Sequence, residues 1–340
     1  MDLLPSDEQN EIVATVRSQL RRDFDLFALA DRDGQPSVVD HDLWSRCADL
    51  GWFGLGLDEK LGGVGYSLVE EALLFGELGR HATPGPFLPT VLGARLAAEQ
   101  GDADLASSIL AGERIVVLAE PHDDADATVG AAVVGRFRVT DHGSADLVLA
   151  VAGGAMALVE IDVSALEALS SFDPLVPTAI GSIDANSVVF DSDAAALLRR
   201  ADVLIAAELA GMARATCEQS TEYAKDREQF GTPIGAFQAV KHRCADMAVK
   251  AEAAECSVRY AALALVGGDD ASGFFIHAAR IVAANAAIEN AQANVQNHGG
   301  IGFTWEHTAH RYVTRSQIRT RTLGAHRQQL NDLLAESAPA

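Results

Sequence analysis

Three glycines, a glutamine and two aromatic residues break into a helical run at Gln296–His307, QNHGGIGFTWEH. Glycine costs a helix about 1 kcal/mol relative to alanine, so the bare backbone here has one of two jobs. Either Gly299 and Gly300 stop a helix, or they let a ligand lie against the main chain where a Cβ would intrude. A second stretch, Tyr223–Phe230, YAKDREQF, sets Arg227 between Asp226 and Glu228 and follows it with Gln229 and Phe230. A guanidinium is a planar, permanently charged fork suited to phosphate oxygens; it can equally pair with a flanking carboxylate on a solvated turn. His307 and His310 stand three apart beside Glu306. No Glu-x-x-His pair accompanies them, so a di-metal site is not expected. Trp44, Trp52 and Trp305 read as core or interface anchors. Arg311, Arg315, Arg319 and Arg321 form either a paired helix face or a subunit contact. The four cysteines, Cys47, Cys217, Cys244 and Cys256, have no CxxC spacing and read as reduced apolar fillers.

These residues hang on three blocks of differing texture. Up to residue 113 the chain reads as helices. Ser6 and Gln9 form a capping box before a helical apolar pattern, and further helices are expected in DHDLWSRCADLG, LVEEALLFGELGRHA, FLPTVLGARLAAEQ and ADLASSILAGE. From 114 to 193, short β-branched runs alternate with Gly, Asp, Asn and Ser, which indicates a small antiparallel sheet or barrel. No helices alternate with them, so a dinucleotide-binding βαβ unit is not indicated. From 194 to 340 helices return. One long helix is expected from Ala194 through Phe230, a second with Pro233 in its first turn, and a third stopped by Gly299. Short connections make these an antiparallel four-helix bundle. The fold class is therefore α+β, in three domains: 1–113, 114–193 and 194–340.

The formal net charge is -22 and the pI near 4.7. A field of that sign disfavours nucleic acid, and no nucleic-acid partner is expected. No run of about 18 uninterrupted apolar residues exists, and the opening MDLLPSDEQNEIV is not a signal peptide. A cytoplasmic protein with no membrane partner is expected.

The order helix–sheet–helix, together with YAKDREQFGTPIGAFQAVKHRCADM, VQNHGGIGFTWEH and LGWFGLGLDEKLGGVGYS, resembles the acyl-CoA dehydrogenase family over nearly the whole chain. VVLAEP and GRFRVTDHGSAD look like its two flavin-facing strands. The resemblance implies FAD as cofactor, an acyl-CoA substrate, α,β-desaturation of the thioester and an electron-acceptor flavoprotein. It places Arg227, Gln229, Phe230 and Gln238 on a platform reaching across a dimer contact to a neighbour's FAD. It places Gln296, Gly299 and Gly300 against the adenosine diphosphate. Thr140 is the surviving flavin contact on the second strand.

Other positions depart from the family pattern. Ala119 stands where the family keeps a flavin-bonding threonine, Asp123, Asp124 and Ala125 occupy the turn that helps to hold acyl-CoA, and Arg138 and Val139 replace an aromatic–aliphatic pair. The chemistry needs a carboxylate at the α-carbon. The family supplies a Glu near the position of Gly324, or, in a minority, at the position of Ala201, and neither is acidic here. The nearby Asp202 and Glu208 lie on other helix faces and read as interhelical or surface charges, and His326 has no support as a base. Residues serving a neighbour's FAD persist while those serving the chain's own chemistry are eroded. The expectation is a base-less subunit of a heteromeric, steroid-CoA-type dehydrogenase, α2β2, whose partner is a second acyl-CoA dehydrogenase-like chain. The alternatives are a self-sufficient homomeric enzyme with an unrecognised base and a flavin-free structural subunit.

Overall fold

The computed structural model describes residues 3–24, 39–122 and 126–337. The capping box forms as read: Gln9 N–H donates to the Ser6 hydroxyl and Ser6 N–H donates to Gln9 Oε1, at 3.2 and 2.9 Å. It opens α1 (Asp7–Asp23). Helices α2 (His41–Asp49), α3 (Leu68–Arg80), α4 (Phe87–Glu99) and α5 (Ala103–Leu110) follow. Asp40 caps α2 by accepting from Asp42 and Leu43 N–H, and Gly51, at φ +72°, turns the chain after it.

Six strands of the described residues form one sheet: β1 (Val116–Pro121), β2 (Ala132–Thr140), β3 (Leu147–Ala152), β4 (Ala155–Val159), β5 (Glu167–Leu169) and β6 (Thr178–Asp191). They run in the order β2-β1-β3-β4-β6-β5, and β2 also pairs with β6, which closes the sheet on itself. Val117, Val133, Phe137, Val148 and Ile183 fill the interior. The pairing is antiparallel except between β1 and β3. That parallel pair is pinned at its start, where Ile115 N–H donates to the Asp146 carboxylate at 2.8 Å and Asp146 N–H donates to Ile115 O at 2.9 Å.

The C-terminal helices are α6 (Ala195–Asp226), α7 (Gln238–Val266), α8 (Ser272–His298), α9 (Ala309–Arg319) and α10 (His326–Ala335). Two boundaries differ from the sequence reading. Helix α6 stops at Asp226, and Glu228–Gln229 (β7) pairs with Thr232–Pro233 (β8) in a tight hairpin. Pro233 therefore ends a hairpin strand at φ -54°, ψ 138°, and α7 begins five residues later. The hairpin's own pairing, with Ile234 N–H on Arg227 O at 2.7 Å, outcompetes helix continuation. The α+β arrangement of helices, sheet and helices holds.

In space the chain forms two compact units. One gathers α1, α3 and the chain from Asp202 onward; the other holds α2, α4, α5 and the sheet. In the helical unit α3 and α6 cross at backbone contact. A Cβ on Gly79 would lie 1.8 Å from Glu208 O, and one on Gly211 would lie 1.9 Å from Gly76 O. Buried Asn290 of α8 donates to Ala213 O and Met247 O at 3.0 and 2.9 Å, tying α8 to α6 and α7. The arginine run of α9 faces inward for the most part. Arg315 donates to Ala82 O and Thr83 O, and Arg319 meets Glu208 at 2.8 Å, while Arg321 is exposed.

Candidate functional site

The end of α6, the β7–β8 hairpin, the start of α7 and the end of α8 come together at one end of the helical unit. Asn297, the penultimate residue of α8, joins them: its Nδ2 donates to Ser220 Oγ of α6 at 2.5 Å and Arg243 of α7 donates to its Oδ1 at 2.6 Å. Tyr223 stacks on His298 with ring centroids 4.2 Å apart. Gly235 brings the hairpin exit onto α6, since a Cβ there would lie 2.8 Å from Ala224 O.

This framework carries Arg227, Gln229, Phe230, Gln238, Gln296, Gly299 and Gly300, all in the helical unit. Gly299 is half-buried and the other six are exposed. Arg227 forms no ion pair with Asp226, Glu228 or any other acid among the described residues, so its fork is available. Phe230 and Gly231 occupy the two central positions of the hairpin turn at φ +55° and +78°. That geometry suits Asn, Asp or Gly, and phenylalanine there is strained. Phe230 is 95% exposed, and its one ring contact among the described residues is edge-on to Phe237, 6.3 Å away.

The glycines of the opening motif divide by environment. Gly302 is structural: a Cβ would lie 2.7 Å from Val295 O. Gly299 does turn the chain out of α8, at φ +63°, but among the described residues nothing beyond the immediate chain neighbours lies within 4 Å of a Cβ on Gly299 or on Gly300. Their bare faces look outward, beside exposed Ile301, Phe303 and Trp305. Trp305 is thus no core residue, unlike buried Trp44 and Trp52. Open backbone, an unpaired guanidinium and exposed aromatic and amide side chains at one bundle end fit a flat, anionic dinucleotide.

Thr140 belongs to the other unit, at the end of β2 opposite Leu118. Ala119 is fully buried in β1, and Arg138, on β2, pairs with Glu120 at 3.3 Å. Asp123, Asp124 and Ala125 lie outside the described residues.

The acids nearest the expected base positions are committed to the protein itself. Ala201 is fully buried. Asp202 contacts Arg280 Nε at 3.0 Å, a charge contact without hydrogen-bond alignment, and accepts from Gln329 Nε2 at 3.2 Å. Burial raises the Asp202 carboxyl above the usual range, and Arg280 opposes that. Arg280 also donates to Thr322 O at 2.8 Å. Glu208 is held by Arg319. Leu323 and Gly324 turn at φ +54° and +116° and bring no acid to the turn.

Sequence reasoning did not find the ring contacts behind the glycine loop. His307 meets His298 at 4.3 Å, and His310 meets the Trp305 ring edge-on at 4.7 Å. Only their proximity to the loop in the chain signalled it.

Residues 6–112 match the acyl-CoA dehydrogenase N-terminal domain and residues 194–337 the acyl-CoA dehydrogenase C-terminal domain. Acyl-CoA dehydrogenase IpdE2 of Mycobacterium tuberculosis is 32% identical over 338 residues, 98% of each chain. The chain belongs to the acyl-CoA dehydrogenase family. It is therefore of an oxidoreductase family whose fold generally binds FAD. Acyl-CoA dehydrogenase FadE34 of the same organism is 36% identical over 284 residues, 81% of this chain but only 39% of FadE34. Among solved structures, a variant of the steroid ACAD Tcur3481-Tcur3483 superposes with a TM-score of 0.84 at 25% identity, covering 97% of each chain. The ChsE4-ChsE5 complex from M. tuberculosis shares the fold at a TM-score of 0.86 and 24% identity over the full length of both chains.

Proposed function

We propose that this acyl-CoA dehydrogenase chain is the base-less subunit of a heteromeric enzyme. In it, the bundle end described above grips the FAD of a second, catalytic acyl-CoA dehydrogenase-like subunit. The observation that carries the reading is the contrast between two sets of residues. Arg227, Gly299 and Gly300 stand open, while Asp202 and Glu208 are locked in ion pairs inside the helical unit. In this reading the blocks 1–113, 114–193 and 194–340 keep the family's three-domain plan.

The reaction is α,β-desaturation of an acyl-CoA. A carboxylate removes the α-proton of the thioester, and FAD, when bound, supplies the acceptor for the β-hydride. This chain contributes neither. Arg227 offers its planar fork to phosphate oxygens, Gln229, Gln238 and Gln296 offer amides, and Gly299–Gly300 let the dinucleotide lie against the main chain. The α-proton goes to a Glu of the partner. Thr140, at the end of β2, keeps the hydroxyl that the family offers to a flavin. The two-chain steroid ACAD among its structural relatives supports a steroid-type acyl-CoA as substrate and a heteromeric assembly, which we take to be α2β2 with a bulky steroid side-chain CoA bound. The two electrons removed from the substrate pass on to an electron-acceptor flavoprotein in the cytoplasm.

Co-expression with the candidate partner and counting of flavin per tetramer tests this. The expected result is a yellow complex, a colourless chain when purified alone, and desaturation only by the complex. Flavin-dependent desaturation by this chain alone overturns the reading in favour of a homomeric enzyme. A colourless complex overturns it in favour of a structural subunit.

A further inference from the structure

The glycine loop leaves α8 and enters α9 through two histidines. His298 ends α8, His307 lies two residues before α9, and their rings meet at 4.3 Å between centroids. The ends of the segment between them are therefore held together by a side-chain contact. His298 is itself fixed: Tyr223 of α6 stacks on it at 26° between planes, and its Nδ1 donates to Asn294 O at 2.8 Å. His307 is fixed differently. Ala309 N–H donates to His307 Nδ1 at 3.1 Å, so that nitrogen carries no proton and the neutral ring caps the first turn of α9.

We propose that His298 and His307 are positioning residues: their ring contact clasps the loop that presents Gly299 and Gly300, and protonation of His307 releases it. The proposal rests on the preceding reading for the loop's purpose, but the clasp is a property of this chain by itself. A proton on His307 Nδ1 removes the acceptor that Ala309 N–H needs. It also sets a positive charge at the N-terminus of α9, the positive end of the helix dipole. Burial and the neighbouring histidines oppose that charge. His298 faces His307 from α8, and His310 from α9; Arg311 of α9 lies over Trp305 at 5.7 Å. Arg243 of α7 reaches Asn297, Tyr223 is the α6 neighbour, and Glu306 beside His307 is exposed. Burial pushes both imidazoles below their ordinary range, and the other two histidines push His307 further. The unfolded chain therefore takes up protons before the folded one. The clasp is intact above the ordinary imidazole value near 6.5 and is lost as pH falls below it toward the depressed native value.

Hydrogen–deuterium exchange of the full chain alone, from about pH 8 to about pH 5 and corrected for intrinsic rates, reads the loop amides 299–306 without any cofactor. Protection is expected to fall about tenfold across that range, the scale set by losing one helix cap. His307→Gln, which can accept from Ala309 N–H but cannot titrate, should flatten the profile. An unchanging loop in the wild-type chain, or the wild-type profile in H307Q, overturns the clasp. Flavin retention by the co-expressed complex is measured over the same pH range. A loop that opens with no loss of flavin upholds the clasp and counts against the partner-cofactor reading. Flavin loss with an unmoved loop overturns the clasp alone.

Discussion

Replacing Phe230 with Asn should stabilise this chain and impair the complex. Phe230 holds φ +55° in the hairpin turn, and a non-glycine residue in that region costs about 1–2 kcal/mol. Asn tolerates the left-handed conformation far better. The ring is 95% exposed, so its removal forfeits almost no buried area. Its one ring contact, edge-on to Phe237, is worth about 0.5–1 kcal/mol at most in this setting. The balance is a gain of roughly 0.5–1 kcal/mol. For a unit of this size that raises the thermal midpoint of the isolated chain by roughly 2 °C. The same variant loses the one large apolar side chain that the turn strains to display, so flavin per tetramer in the co-expressed complex should fall. A midpoint that drops shows the strain to be misread. A midpoint that rises while flavin content stays at the wild-type level would show that the displayed ring has no part in the cofactor contact.

Two further outcomes are expected. Arg227→Ala should leave the stability of the isolated chain almost unmoved, within about 0.5 kcal/mol, since the guanidinium has no carboxylate partner among the described residues; flavin content of the complex should fall, and Arg227→Lys should restore it only partly because an ammonium lacks the planar fork. Asp202→Asn should lower the unfolding temperature sharply, by a loss of about 3–5 kcal/mol, because it strands the buried Arg280 guanidinium; differential scanning calorimetry of the isolated chain checks this.

Much of the fold was legible because its signals are local. The Ser6–Gln9 cap, the helical spacing of α1 and the β-branched runs of the sheet each need only neighbouring residues. What was not legible depends on distant pairing. The end of α6 was read four residues too late because YAKDREQF has adequate helix propensity throughout, and only the pairing of Glu228–Gln229 with Thr232–Pro233 breaks it. The parallel β1–β3 pair is set by Asp146 reaching Ile115, 31 residues away, which no periodicity encodes. At the candidate site, residue types announced the chemistry of Arg227 and the glycines. Their exposure did not follow from sequence, since Gly299, Gly300 and Gly302 are alike in type and differ only in what lies beside them. Likewise nothing in the spacing of His298 and His307 tells that an eight-residue excursion returns ring to ring.

The crossing of α3 on α6, backbone against backbone at Gly76, Gly79 and Gly211, joins segments far apart in the chain. Helix α3 ends at Arg80 and its partner surface begins near Asp202, so the ribosome must add about 120 residues before the two can meet. At about 5–20 residues per second this is a delay of roughly 6–24 s. Throughout it α3 has α1 beside it, tied on by Arg17 and Glu77, but its glycine face lacks the helix it will cross, whereas the strands and α4 and α5 are synthesised as one uninterrupted stretch. The second half of translation therefore completes what the first leaves open, and chaperone demand in the cell should centre on this early helix.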